Sequence, residues 1–434
     1  MYSGTDSCHR GAPMSLAPPT PSPGPVGELR RHWAALTAAT VGIGTGVAVM
    51  PFYTNGLFIP ALEAEFGWTR SQLSSLALVG AVITILTSPF VGVIVDRFGV
   101  RLPGVVSLVV LGGAYFLLSA SGSSFAGYLA IWVGMYVLAA ASTAVSFTRT
   151  VNERFDRARG LALGIALGGA GLVAFAVPQI LGAQIAEDWR GGYRILGVVI
   201  LAGALLVLLL MPRHRPVAAP TDEAAPAFRI APLLRTPLFA RLAVAFLAIS
   251  LAVGGLTVHL VPLLRDAGVA PSSAAATAGL VGIAVIVGRV ISGLLVDRFF
   301  APRVMVGVLL VAALGYVALV VGGPTFASAA AVGVGLALGA EVDVVGYLVA
   351  RYYGMAAYSR MFGVFYAVFT LGVGASPLIM AAVRAGTGSY TAPLLGAVAL
   401  LGVAVLLLLT APRFPSTTPA ADAPVPATST GGAA

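Results

Sequence analysis

The sequence predicts an all-α membrane protein of twelve transmembrane helices, arranged as two six-helix, pseudo-symmetric bundles. Three observations predict it: too little charge for a water-facing surface, a series of membrane-length apolar stretches, and a loop motif that recurs in the second half. The chain has 434 residues, 58% of them hydrophobic and 9% charged. A soluble domain carries about 25% charge, so most of this surface must face lipid. The stretches lie near 35–59, 72–95, 102–120, 126–148, 160–185, 192–211, 238–263, 274–296, 303–322, 326–349, 361–383 and 390–411. Each has the length needed to cross about 30 Å of hydrocarbon. None shows a polar stripe every turn, as an amphipathic soluble bundle would. They are rich in Gly and Ala, as expected where helices pack closely in lipid.

The segments between and around these stretches set the domain order. Residues 1–31 are Pro-rich and polar at their start and are expected to form a disordered cytoplasmic tail, without the apolar core of a signal peptide. Residues 412–434 read as a second such tail. Residues 212–237 (PRHRPVAAPTDEAAPAFRIAPLLRTP) are charged and Pro-rich, and divide the spans six and six. They are expected to be a cytoplasmic linker between bundles at 32–211 and 238–411.

Arginine sets the expected orientation. All 25 basic residues are arginine. With both termini inside, nineteen fall in the tails and cytoplasmic loops, five in external loops and one, Arg289, inside a span. That bias follows the positive-inside rule. The net charge of +9 would suggest nucleic acid in a soluble protein. Here the arginines gather at loop edges, so the expected partner is the anionic face of a lipid bilayer, with no nucleic acid.

Several chemistries are excluded. The single cysteine, Cys8, permits no intrachain disulfide and no Cys-based metal site. The four histidines have no metal-ligand spacing. There is no G-x-S-x-G, H-E-x-x-H or P-loop, so neither an enzyme nor direct ATP drive is expected, and no cofactor.

The recurring motif is GVIVDRFGVR (Gly92 to Arg101) after span 2 and GLLVDRFFAPR (Gly293 to Arg303) after span 8. Gly92, Asp96, Arg97 and Phe98 match Gly293, Asp297, Arg298 and Phe299 at one offset. Parallel repeats of this kind place a substrate site between the halves near the midplane. The motif has a physical reading as a latch. Asp96 or Asp297, at a helix end, can accept from backbone N–H groups of a neighbouring helix start and pair with arginine, closing the cytoplasmic side in one state. The alternative is that Arg97, Arg101, Arg298 and Arg303 only fix topology.

The pattern G-x-x-x-D-R-x-G-x-R resembles the loop signature of the major facilitator superfamily, over residues 32 to about 411. The first copy is complete; in the second, Phe300 replaces a Gly and Arg303 lies one residue late. The segments ERFDRARGLALGIALGGAGLVAF (Glu153 to Phe175), HLVPLLRDAG (His259 to Gly268) and EVDVVGYLVARYYG (Glu341 to Gly354) are similar to the monocarboxylate carriers and the oxalate/formate antiporters. The resemblance implies the major facilitator fold and a secondary carrier of a small organic anion, a monocarboxylate, coupled to protons and working by alternating access. It implies a monomer in the plasma membrane of a bacterial cell. The competing expectation is an exporter of a hydrophobic metabolite or drug, with a larger and more aromatic cavity.

Arg289 carries the substrate expectation. It lies two turns before Asp297, ~12 Å inside the membrane boundary. An arginine at that depth normally faces a cavity or a counter-charge, and a guanidinium grips a carboxylate with a two-point fork. In the resembled families a span-8 arginine at this place binds the substrate carboxylate. The other readings are a structural ion pair with Glu341 or Asp343, and snorkelling of the side chain to the cytoplasmic face. The chain departs from its relatives: Val285 stands where monocarboxylate carriers have an aspartate, Asn55 near where they have a lysine, and span 11 lacks the second cation of the oxalate antiporter. One buried cation balances one carboxylate best, which favours a monoanion; the missing aspartate puts the usual proton-coupling route in doubt.

Other polar residues complete the candidates. Tyr53, Thr54 and Asn55 interrupt span 1 and are candidates to line the cavity, as is Tyr366 in span 11. Glu341 and Asp343, two apart, cannot share a helix face; Asp343 is the preferred gate or proton site. His259 is either a group titrating near neutral pH or a packing histidine. Glu153 and Arg154, with Arg149, read as gate or topology residues at the cytoplasmic end of span 4.

Overall fold

The computed structural model describes residues 25–156, 158–213 and 231–414. The first tail up to residue 24, linker residues 214–230 and the second tail from residue 415 lie outside the described residues. Every regular element among the described residues is helical. Nine helices among the described residues are long and apolar enough to cross a membrane. The difference from twelve has three physical causes. Span 1 is divided into α2 (Trp33–Gly44) and α3 (Met50–Phe66). Span 4 is divided into α6 (Phe125–Leu138), a 3₁₀ turn at Ala140–Ser142, and α7 (Ala144–Arg154). Spans 9 and 10 run on through a 3₁₀ turn at Gly323–Phe326 as one apolar stretch, Ala301–Gly354.

The two breaks face each other. The Val47 N–H donates to Ser142 Oγ at 3.2 Å, and Gly46 approaches the Ser142 carbonyl so closely that a Cβ would stand 2.0 Å from its oxygen. Pro51, lacking an N–H, then suits the start of α3. The expected interruption of span 1 at Tyr53–Asn55 is therefore corrected. Those residues sit inside α3, and the break falls at 45–49, where a neighbouring backbone needs room.

The remaining elements are α1 (Pro25–Arg31), α4 (Arg70–Phe98), α5 (Arg101–Ser119), α8 (Arg159–Glu187), α9 (Trp189–Leu210), α10 (Ala231–Leu234), α11 (Pro237–Asp266), α12 (Pro271–Val296), α13 (Ala301–Gly322), α14 (Ala327–Thr387) and α15 (Thr391–Leu409). Gly354, at φ +74°, divides α14 into two lengths, a conformation that glycine alone adopts without steric cost. Helix α1 corrects the expected tail, which stops being tail before residue 31. Glu28 accepts from the Asp156 and Ala158 backbone N–H groups, at 2.8 Å each. A carboxylate is stabilised there by the start of α8. Past α15, Phe414 packs against the rings of Phe300 and Tyr352, so the second tail also begins later than its sequence implies.

Large apolar side chains such as Leu86, Ile180 and Val321 point outward and are exposed, as on a lipid-facing surface. Inside, α4 packs on α14, α8 on α12 and α3 on α11, joining the two halves of the chain. The closest approaches run from mid-helix toward the face away from the chain ends. A Cβ on Gly374 would stand 2.3 Å from Ala81 Cβ, and one on Gly282 would stand 2.2 Å from the Phe175 nitrogen. Toward the face that carries the termini and linker, the same four helices part. Nothing lies within 4 Å of a Cβ built at Gly92, Gly164, Gly168, Gly293 or Gly363. The protein is thus closed on the opposite face and open on the terminal face.

Candidate substrate cavity and the opposite-face seal

A cavity between the halves holds about 1220 Å³ of empty space, counting the solvent at its mouth. Its walls come from α2, α3, α4, α6, α7, α8, α11, α12 and α14. Arg289 is the one charged residue among the described residues that line it. Its side chain is 13% exposed. Nη1 donates to Asp343 Oδ1 at 2.7 Å, while Nε is buried without a partner. The guanidinium therefore holds its counter-ion by one nitrogen and keeps donors in reserve for a second anion.

The structure separates Asp343 from Glu341. Asp343 reaches Arg289 and stays partly exposed. Glu341 is wholly buried behind it, with Oε1 accepting from Ser250 Oγ at 2.9 Å and Oε2 unpartnered. It does not line the cavity, so the expected gating or proton role for Glu341 has no direct contact with the cargo. Tyr53 and Tyr366 line the cavity within electrostatic reach of Arg289. Asn55 also lines it, with Nδ2 turned to the Leu73 carbonyl at 3.4 Å and Oδ1 unpartnered.

In this conformation the loop motif makes no ion pair across the halves among the described residues. Asp96 pairs with Arg149, which also binds Glu153 at 2.8 Å. All three belong to the first half, so the cluster ties the end of α4 to α7. Arg101 instead donates to the Leu208 carbonyl, and Arg97 lies over the Phe98 ring. Arg154 keeps a buried Nε without a partner. Asp297 and Arg298 make no ion pair among the described residues. The latch is expected only in the state closed on this face, and here the terminal face is open.

The halves are instead bound on the opposite face, by residues of which the sequence singled out His259 alone. Arg70 at the start of α4 grips Glu63 with Nε at 2.8 Å and Nη2 at 2.6 Å. It reaches across to Asp266 at 2.6 Å and to the Tyr390 hydroxyl at 2.9 Å. Arg384 binds the same Asp266 oxygen at 2.6 Å. One layer deeper, His259 is fully buried. Its Nε2 donates to the Pro377 carbonyl at 2.9 Å and lies 3.0 Å from Ser74 Oγ of the first half. Its Nδ1 lies 2.9 Å from the Tyr390 hydroxyl. His259 is therefore part of the seal between the halves. The signal in the sequence was the set of charges at span ends, but nothing in it pairs residue 70 with residue 266.

Known proteins place this architecture. The model of the Major Facilitator Superfamily matches residues 41–343. Bovine "Monocarboxylate transporter 13" is 29% identical over 83% of this chain and 84% of its own length. Human "Monocarboxylate transporter 11" is 28% identical over 87% and 83%. The crystal structure of a bacterial homologue of the human lysosomal transporter Spinster shares the fold, with a TM-score of 0.66 at 16% identity, covering 88% of this chain and 96% of that one. With an all-helical membrane fold, a cavity between its halves and a family match over most of its length, the chain belongs to the Major Facilitator Superfamily and is a transporter, not an enzyme.

Proposed function

We propose that this transporter carries a small organic anion, a monocarboxylate, together with a proton, by alternating access between two six-helix bundles. The observation that carries the reading is Arg289, the one cation in the described cavity lining, held by Asp343 through one nitrogen with donors to spare. The named function of the two monocarboxylate transporters supports it. Val285 leaves this chain without a carboxylate one turn before Arg289, and Asp343 from α14 supplies the counter-charge instead. When an acid enters, its proton passes to Asp343 and its carboxylate takes the released guanidinium. Charge is conserved at the site, since one cation faces one anion before and after, and a low-dielectric cavity penalises any other balance.

In this reading both termini and the linker are cytoplasmic, the structure is the inward-open state, and one chain suffices. The second reading, export of a hydrophobic neutral compound, draws on the aromatic walls of the cavity. Uptake into proteoliposomes of an anion and a neutral isostere, with and without an inward acid gradient, tests both. The anion reading expects Arg289→Ala to abolish anion uptake. It expects Asp343→Asn to lose acceleration by the gradient while keeping exchange. Undiminished anion flux in Arg289→Ala would overturn it.

A further inference from the structure

The walls around Arg289 narrow the cargo further, an inference that rests on the anion reading above. Six aromatic side chains line the cavity: Phe52 and Tyr53 on α3, Trp132 and Tyr136 on α6, Tyr366 and Phe369 on α14. They come from both halves of the chain. They are also held in place. Trp132 Nε1 donates to the Leu76 carbonyl at 3.0 Å. The rings of Phe52 and Tyr53 meet edge-on at 5.1 Å, and those of Tyr366 and Phe369 lie 5.9 Å apart.

We propose that the substrate is a monocarboxylate with a ring-sized apolar body, an aryl or arylalkyl acid rather than a two- or three-carbon acid. A short acid satisfies Arg289 but leaves this aromatic wall against water. A ring beside the carboxylate removes that surface from water and meets faces and edges already fixed in position. A second carboxylate would enter a cavity whose described lining holds no second cation. Since each half contributes rings, one cargo of this size touches both bundles, as a carrier that closes around its load requires. The hydroxyls of Tyr53 and Tyr136 make no hydrogen bond among the described residues and offer a polar handle for a hydroxyl or N–H on the ring.

The test compares acids that differ by the ring alone. Full-length protein in proteoliposomes is assayed for uptake of pyruvate and phenylpyruvate, with phenylacetamide as the neutral competitor. The expected result is half-saturation by phenylpyruvate at a concentration at least tenfold below that for pyruvate, with no competition by phenylacetamide. Phe369→Ala is expected to raise the phenylpyruvate value about tenfold and to change the pyruvate value less than twofold. If that variant does not fold, the wild-type comparison alone decides. Pyruvate carried as well as phenylpyruvate would overturn the ring proposal and leave the anion reading standing. Phenylacetamide carried as well as phenylpyruvate, unaffected by Arg289→Ala, would overturn the anion reading and this inference with it.

Discussion

Arg70 is the residue through which the opposite face can be opened by a single change. Of its contacts, those to Glu63 stay within the first half, and only those to Asp266 and Tyr390 cross to the second. Arg70→Gln therefore weakens the closed seam without unfolding either half. Truncating one partner of a buried, hydrogen-bonded charge pair costs about 2–5 kcal/mol. Here Asp266 is 33% exposed and keeps Arg384 as a partner, so it is not stranded; Glu63 does lose its partner, but it does so with the seam open or closed. The low end applies, and the tie to Glu63 does not count toward opening. That leaves about 1.5 kcal/mol of bias, close to tenfold in the ratio of open to closed on this face. The assay is double electron–electron resonance between spin labels at Ala64 and Ala270, on opposite sides of the seam, in a Cys8→Ser background. The wild type is expected to show mainly the short distance, and Arg70→Gln a roughly tenfold larger long-distance fraction. An unchanged distance distribution, with the variant intact by size exclusion, would refute the assignment of this cluster as the seal.

Three further outcomes follow from particular contacts. Gly374→Leu puts side-chain atoms where Ala81 Cβ already stands; overpacking of this kind costs about 1–3 kcal/mol, so the same labels are expected to report an open seam, and transport within twofold of wild type would contradict the packing argument. Glu341→Gln keeps the shape and the Ser250 contact and is expected to leave pH-driven uptake unchanged, whereas Glu341→Ala is expected to lower stability by about 2–4 kcal/mol through the cavity it leaves, the Ser250 hydroxyl keeping its bond to the Phe246 carbonyl; loss of the gradient response in the Gln variant would give Glu341 the proton role its position argues against. His32 packs edge-on against Phe155, and burial together with the Arg154 and Arg31 charges lowers its pKa from the ordinary value of 6.5. The unfolded chain therefore takes up this proton first as pH falls. The stabilisation is complete above 6.5 and declines below it toward the folded value. Melting in detergent at pH 7.5 and 5.5 is expected to show a small acid loss in the wild type that His32→Gln lacks; equal losses in both would exclude this histidine as the source.

Residues with one strong environmental preference were legible from sequence. Apolar stretches of membrane length gave the helices, and a guanidinium two turns inside a span gave Arg289 as a cavity residue, because each is explained by local solvation alone. The breaks at 45–49 and 139–143 were not legible. They exist because Gly46 and Ser142 meet, and no periodicity in either segment carries that contact. The motif around Asp96 was visible as chemistry but not as geometry: its partner, Arg149, comes from a different helix of the same half.

By itself the sequence determined that this chain lives in lipid as helices in two related halves, with one costly cation at mid-depth. Transfer of side chains between water and hydrocarbon is a property of composition and order, and needs no neighbours to evaluate. Tertiary structure alone decided that Asp343 rather than Glu341 holds Arg289, that six rings line the same cavity, and that Arg70, Asp266, Tyr390 and His259 seal the far side. Ion pairs and ring contacts act over a few ångströms, so they are set by which helices cross, and the chain brings together residues as far apart as 70 and 390 only when it folds.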